Sequence, residues 1–157
     1  MHIALVDDDP DVLRFLAALL RGQEGRELSQ FADPVGAYAW CAANDADLVI
    51  VDYQMPGMDG VTFIERFRAL PDRADTPVLM LTADAQRDVR YRALQAGAND
   101  FLTKPVDALE LVVRVNNMLA LRRSECQLRD RAAWLAEEVR KATAQIVRLE
   151  HETIYRL

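Results

Sequence analysis

Residues 48–60 read LVIVDYQMPGMDG. Leu48 to Val51 are apolar at every position, with no polar alternation. A strand of this kind is covered on both faces, as in a parallel sheet lying between two layers of helices. Asp52 ends the run, QMPG follows, and Asp59-Gly60 then precedes VTFIERFRAL, a segment of helix length. The same alternation recurs outward. HIALV (2–6), ELSQF (27–31), PVLML (77–81) and NDFLT (99–103) read as strands, and VLML is apolar throughout, like LVIV. Asp9-Pro10 precedes VLRFLAALL and Asp33-Pro34 precedes VGAYAWCAA. An acidic N-cap accepts the free helix N–H groups and a proline in the first turn presets φ, so these are helix starts, with Asp9 itself a cap. The pattern βαβαβαβαβα predicts an α/β fold with a doubly wound five-stranded parallel sheet, whose sites lie beyond the C-terminal ends of the strands.

The chain has 157 residues, 51% hydrophobic, and a net charge of −6. That length suits one compact domain, or one domain plus an appendage. Residues 1–120 carry 11 basic and 19 acidic side chains, whereas residues 121–157 carry 8 and 6 and contain no Gly or Pro. The division predicts an acidic domain over 1–120 and a helix over 121–157. An acidic domain is not drawn to nucleic acid, because phosphate binding needs a basic surface. No apolar run approaches the ~20 residues that span a bilayer, and MHIALVDDD lacks the form of a signal peptide, so a cytoplasmic protein away from membranes is expected. Cys41 and Cys126 form no CxxC pair, and His2 and His151 lie near opposite ends, which supports neither a disulfide framework nor structural zinc.

The strand ends carry the chemistry. Asp7, Asp8 and Asp9 follow strand 1, Asp52 strand 3, Thr82 strand 4, and Lys104-Pro105 strand 5. Carboxylates converging on one edge repel one another, an arrangement that makes sense around a hard divalent cation, Mg²⁺ above all. Asp52 is then a candidate nucleophile, Thr82 a hydroxyl donor to a phosphoryl oxygen, and Lys104 a positive charge for the same group. Tyr38, Trp40 and Cys41 read as packing residues, Tyr53 as shaping access to Asp52, and Met55, Met58 and Met80 as loop and core fillers.

At IALVDDDP (3–10), VDYQMPGMDG (51–60), MLTADA (80–85) and AGANDFLTKPVD (96–107), the sequence resembles the receiver domain of bacterial two-component response regulators. Four motifs in register at successive strand ends are specific where any one would be weak. The resemblance covers residues 1 to about 120 and implies a flavodoxin-like sheet of order 2-1-3-4-5. It makes Asp52 the phosphoacceptor, Asp8 a direct metal ligand, Asp7 a ligand acting partly through water, and the Gln54 backbone carbonyl a third protein ligand, for Mg²⁺ or Mn²⁺. Thr82 and Lys104 keep their inferred roles. Gln54 and Asp84 fall at the variable positions that flank the attacking water and tune phosphate lifetime. The implied switch pairs Thr82 with Phe101, whose ring would turn into the space the threonine vacates, although a plain core aromatic explains Phe101 nearly as well. The implied partner is a sensor histidine kinase or a phosphotransfer protein.

From Asp107, a candidate N-cap, no breaker appears to the end of the chain, so the fifth helix could run for about 50 residues. Met118, Glu125, Ala132, Val139, Ile146 and Thr153 fall at a, and Leu121, Leu128, Leu135, Ala142 and Leu149 at d, which predicts a homodimeric coiled coil. Arg122, Arg129, Arg131, Glu138, Glu150 and Glu152 at e and g leave its orientation open. EHETIYRL (150–157) resembles the helical lead-in to HD-GYP domains, hydrolases of cyclic di-GMP, implying a signalling helix that continues into an output domain. A diguanylate cyclase or histidine kinase module is the alternative output. For the whole chain, two other readings stand. One is a haloacid-dehalogenase-like phosphatase, disfavoured because Gln54 stands where that chemistry needs an acid. The other is a phosphorylation-independent dimerisation module.

Overall fold

The structure, a computed structural model, describes residues 1–23, 25–83 and 87–156. Its strands are β1 (His2–Val6), β2 (Glu27–Phe31), β3 (Leu48–Asp52), β4 (Val78–Thr82) and β5 (Asp100–Thr103). The helices are α1 (Pro10–Leu20), α2 (Pro34–Ala43), α3 (Gly60–Ala69), α4 (Arg87–Ala96) and α5 (Ala108–Tyr155). All strand pairs are parallel and the order is β2-β1-β3-β4-β5. This is the doubly wound, flavodoxin-like sheet expected from the sequence, with the long C-terminal helix.

Every residue of β3 and β4 is buried, as their unbroken apolar runs require. Alternate residues serve opposite layers. Val49, Val51, Val78 and Met80 pack with Phe63, Ile64 and Phe67 of α3, and with residues of α2 and α4. Ile3, Leu5, Leu48, Ile50, Leu79 and Leu81 pack against Leu13 and Leu16 of α1 and Leu111, Val115 and Leu119 of α5. Edge strand β2 has no fully buried residue, and its ELSQF composition reflects that. Cys41 lies in the first layer with Tyr38 and Trp40 against it, and burial pushes its thiol up to about 11, so it is an inert packing residue.

The acidic caps form as the sequence requires. Asp9 accepts the N–H of Asp11, Asp33 those of Val35 and Gly36, Asp59 that of Thr62, and Asp107 that of Glu110. Three strands differ in their bounds from the sequence expectation: β3 takes in Asp52, β4 takes in Thr82 while leaving out Pro77, and β5 leaves out Asn99. Both extensions have a ladder-like cause, because Tyr53 N–H donates to the Leu81 carbonyl and Lys104 N–H to that of Thr82.

The chain divides into two compact units, Met1–Arg122 and Arg123–Leu157. The second is helical through Tyr155 and exposes Leu128, Leu135, Val139, Ile146 and Leu149 along the predicted seam. Its polar side chains pair along the helix, as in Arg140–Glu137 at 2.7 Å and Arg148–Glu152 at 3.4 Å. Among the described residues, no helix is long and apolar enough to cross a membrane.

Candidate functional site

The C-terminal ends of β1, β3 and β5 bring Asp7, Asp52 and Lys104 together. Asp7 and Asp52 are buried, and Asp8, one residue beyond, is exposed. The three carboxylates offer ligand atoms that all lie within 4.8 Å of one another. Lys104 bridges two of them, with Nζ 2.9 Å from Asp7 Oδ2 and 3.0 Å from Asp52 Oδ1. The other Asp7 oxygen accepts the Asp9 N–H at 2.9 Å, which turns the chain from the strand into α1.

Asp52 sits against its own charge. Burial raises its pKa above the usual carboxylate range; the Lys104 hydrogen bond and charge oppose that rise, while the charges of Asp7 and Asp8 add to it. Burial by itself would lower the Lys104 pKa, but hydrogen bonds to Asp7 and Asp52, and their charges, outweigh it and hold the ammonium above its ordinary value. The site therefore carries an excess of negative charge that one ammonium only partly offsets. That is the chemistry of a donor set for a hard cation, and the clustered oxygens fit one.

The backbone around Asp52 is held by a contact the sequence reading missed. Gly60 N–H donates to the Tyr53 carbonyl at 2.8 Å. A Cβ on Gly60 would lie 2.5 Å from the Asp52 carbonyl oxygen and 3.0 Å from the Tyr53 Cα. Glycine is needed here for close approach, and the Asp59-Gly60 pair, read only as a helix start, was its visible signal. Tyr53, Gln54, Met55, Pro56 and Asp59 line an open groove with Asp8, beside the buried pair. Met55, Met58 and Met80 are core residues.

Thr82 is fully buried at the end of β4. Phe101 is half-buried on β5 and pairs in register with Met80, two residues before Thr82. Side chains alternate along a strand, so Thr82 and Phe101 share the sheet face covered by α2, α3 and α4. Asp84 lies outside the described residues.

The sequence profile of the response regulator receiver domain family matches residues 3–116. The chain belongs to this family. The receiver and its helix together are 35% identical, over 158 aligned residues, to the cyclic di-GMP phosphodiesterase response regulator RpfG of Xanthomonas campestris pv. campestris (strain 8004). That alignment covers 100% of this chain and 42% of the relative. Among solved structures, the signal receiver domain of an HD domain-containing protein from Pseudomonas fluorescens Pf-5 is similar, with a TM-score of 0.72 and 29% identity. The match covers 78% of this chain and 97% of that one. The receiver domain of the sensor histidine kinase PA1611 from Pseudomonas aeruginosa PAO1 is similar with a TM-score of 0.69 and 30% identity, over 76% of this chain and 97% of the other. That structure is described with a magnesium ion coordinated in the active site cleft.

Proposed function

We propose that this receiver accepts a phosphoryl group on Asp52 from the phosphohistidine of a sensor histidine kinase or phosphotransfer protein, in the cytoplasm. The observation that carries the reading is the buried Asp52 carboxylate held 3.0 Å from the Lys104 ammonium and beside Asp7 and Asp8. An Asp52 carboxylate oxygen attacks phosphorus, the new P–O bond forms as the P–N bond breaks, and the imidazole nitrogen leaves with the electron pair. Lys104, already pointing at this carboxylate, follows the added charge onto a phosphoryl oxygen, and the Thr82 hydroxyl donates to another. Asp7, Asp8, Asp52 and the Gln54 backbone carbonyl would hold Mg²⁺, which when bound neutralises the phosphoryl oxygens during transfer. Gln54 and Asp84 then set how long the acyl phosphate survives attack by water, and Phe101 responds to the displacement of Thr82.

The receiver is a switch rather than a turnover enzyme. We infer that it acts through the helix beyond residue 120, which pairs with a second copy along its a and d residues. The exposure of Leu128, at 69%, and Val139, at 65%, supports a lateral partner, because a solitary helix gains nothing from such a stripe. The output is a cyclic di-GMP phosphodiesterase; in support, identity to RpfG runs over the whole chain, helix included.

Incubation with Mg²⁺ and acetyl phosphate tests the centre of this reading. One phosphoryl group per chain is expected, and it should be lost with Asp52→Asn. Sedimentation tests the helix: a dimer at tens of micromolar protein is expected, and a monomer for Leu128→Glu/Leu135→Glu. Multiple turnover of phosphate esters, or labelling that survives Asp52→Asn, would overturn the phosphoacceptor assignment.

A further inference from the structure

Arg90, on α4, carries its guanidinium carbon 4.7 Å from the centroid of the Phe101 ring. Its Nε is buried and has no hydrogen-bond partner among the described residues. A desolvated guanidinium nitrogen without a hydrogen bond is unfavourable, and the π face of Phe101 is the compensating contact at hand. Phe101 has no hydroxyl, so a polar neighbour can grip it only through the ring. In the same structure Lys104 bridges Asp7 and Asp52 beneath the strand ends.

We propose that Arg90 is a positioning residue that latches Phe101 in the resting arrangement through this cation–π contact, so that turning the ring toward Thr82 on phosphorylation must break it. The inference rests on the phosphoacceptor reading above and adds the residue that sets the balance between the two states. A receiver that must first release the latch binds a phosphoryl mimic with an affinity reduced by the fraction of molecules already released. Removing the latch raises that fraction, by about three- to ten-fold for a cation–π contact at a partly buried site.

The test titrates the full chain with beryllofluoride and Mg²⁺, reading the midpoint from backbone amide resonances by NMR and following the Phe101 ring resonances wherever the ring is present. Arg90→Met keeps the aliphatic stem and removes the cation; its midpoint should fall at about three- to ten-fold lower beryllofluoride. The free variant's ring signals should also move toward the bound positions. Arg90→Lys retains a cation and should restore most of the original midpoint. Bulk charge works in the opposite sense: removing a cation from a chain of net charge −6 disfavours an anionic ligand, so tighter binding cannot come from it. In a Phe101→Leu background, Arg90→Met should leave the midpoint unchanged. Arg90→Gln serves the same purpose if the methionine variant folds poorly. An unchanged or weakened midpoint in the Arg90 variants, or an equal shift without the Phe101 ring, overturns the latch and leaves the phosphoacceptor reading standing. Failure of the unmodified chain to bind beryllofluoride overturns that reading, and the latch with it.

Discussion

Lys104→Met isolates what the single ammonium contributes to the acidic pocket. Lys104 lies 2.9 Å from Asp7 and 3.0 Å from Asp52, and those two side chains are 1% and 6% exposed. Removing one partner of a fully buried ion pair costs about 3–5 kcal/mol, because the other charge stays buried and uncompensated. Lys104 is itself 22% exposed, so solvent screens part of the pairing and about 2–3 kcal/mol is the expected loss. Against a domain stability of about 5–15 kcal/mol this is a large deficit. In urea with a chelator at pH 7, and with a slope of about 2 kcal/mol per molar, the midpoint should fall by about 1–1.5 M. On the proposed Mg²⁺ site, millimolar Mg²⁺ would supply positive charge among the same carboxylates, so the deficit should narrow when it replaces the chelator.

The pH dependence has a fixed sign. The folded pKa of Lys104 is raised, so its stabilisation is fully present below the unfolded value of 10.5 and is lost as pH climbs through the raised value. Asp52 is also raised, above 3.8, so the folded state holds a proton that the unfolded chain has released. Its contribution therefore falls as pH rises from 3.8 through the raised value, where the buried carboxylate ionises. Loss of the Lys104 hydrogen bond and charge should carry that fall to higher pH in Lys104→Met, and Asp52→Asn added to it should recover stability. A Lys104→Met protein as stable as the original in chelator, or equally destabilised with and without Mg²⁺, would mean that the ammonium does not compensate these carboxylates in the way a bound cation does.

Two further substitutions probe the frame of the site. Gly60→Ala places a methyl 2.5 Å from the Asp52 carbonyl oxygen, and its nearest neighbours are all backbone atoms of Asp52 and Tyr53; a loss of about 1–3 kcal/mol in urea unfolding and slower labelling of Asp52 by acetyl phosphate are expected together. Arg68→Met removes a side chain that donates to the carbonyls of Gly97, Arg73 and Thr76 and to the Asn99 side chain, on the strand edge opposite the site. It should cost about 2–4 kcal/mol in urea while leaving the beryllofluoride midpoint unchanged.

Much of this was legible in the sequence because its causes are local. Two unbroken apolar runs need cover on both faces, which selects a parallel sheet. Asp9-Pro10 and Asp33-Pro34 cap helices through groups two or three residues away. Asp7, Asp52, Thr82 and Lys104 stand at strand ends, which a parallel sheet collects on one edge whatever the loops do. Residue order and type therefore determined the fold class, the edge carrying the chemistry and the identity of its charged groups.

Tertiary structure decided how those groups meet, because that depends on contacts between residues far apart in the chain. It set Lys104 on both Asp7 and Asp52 across a separation of 97 residues from the first, and it made burial the leading influence on Asp52. It pressed Gly60 against the Asp52 backbone, where the sequence showed only a helix start. It set Arg68 against four residues in two loops and Arg90 against Phe101, for which no spacing rule exists. A side chain's partner across the sheet is fixed by packing geometry and desolvation in three dimensions, whereas caps and apolar runs answer to neighbours a few residues away.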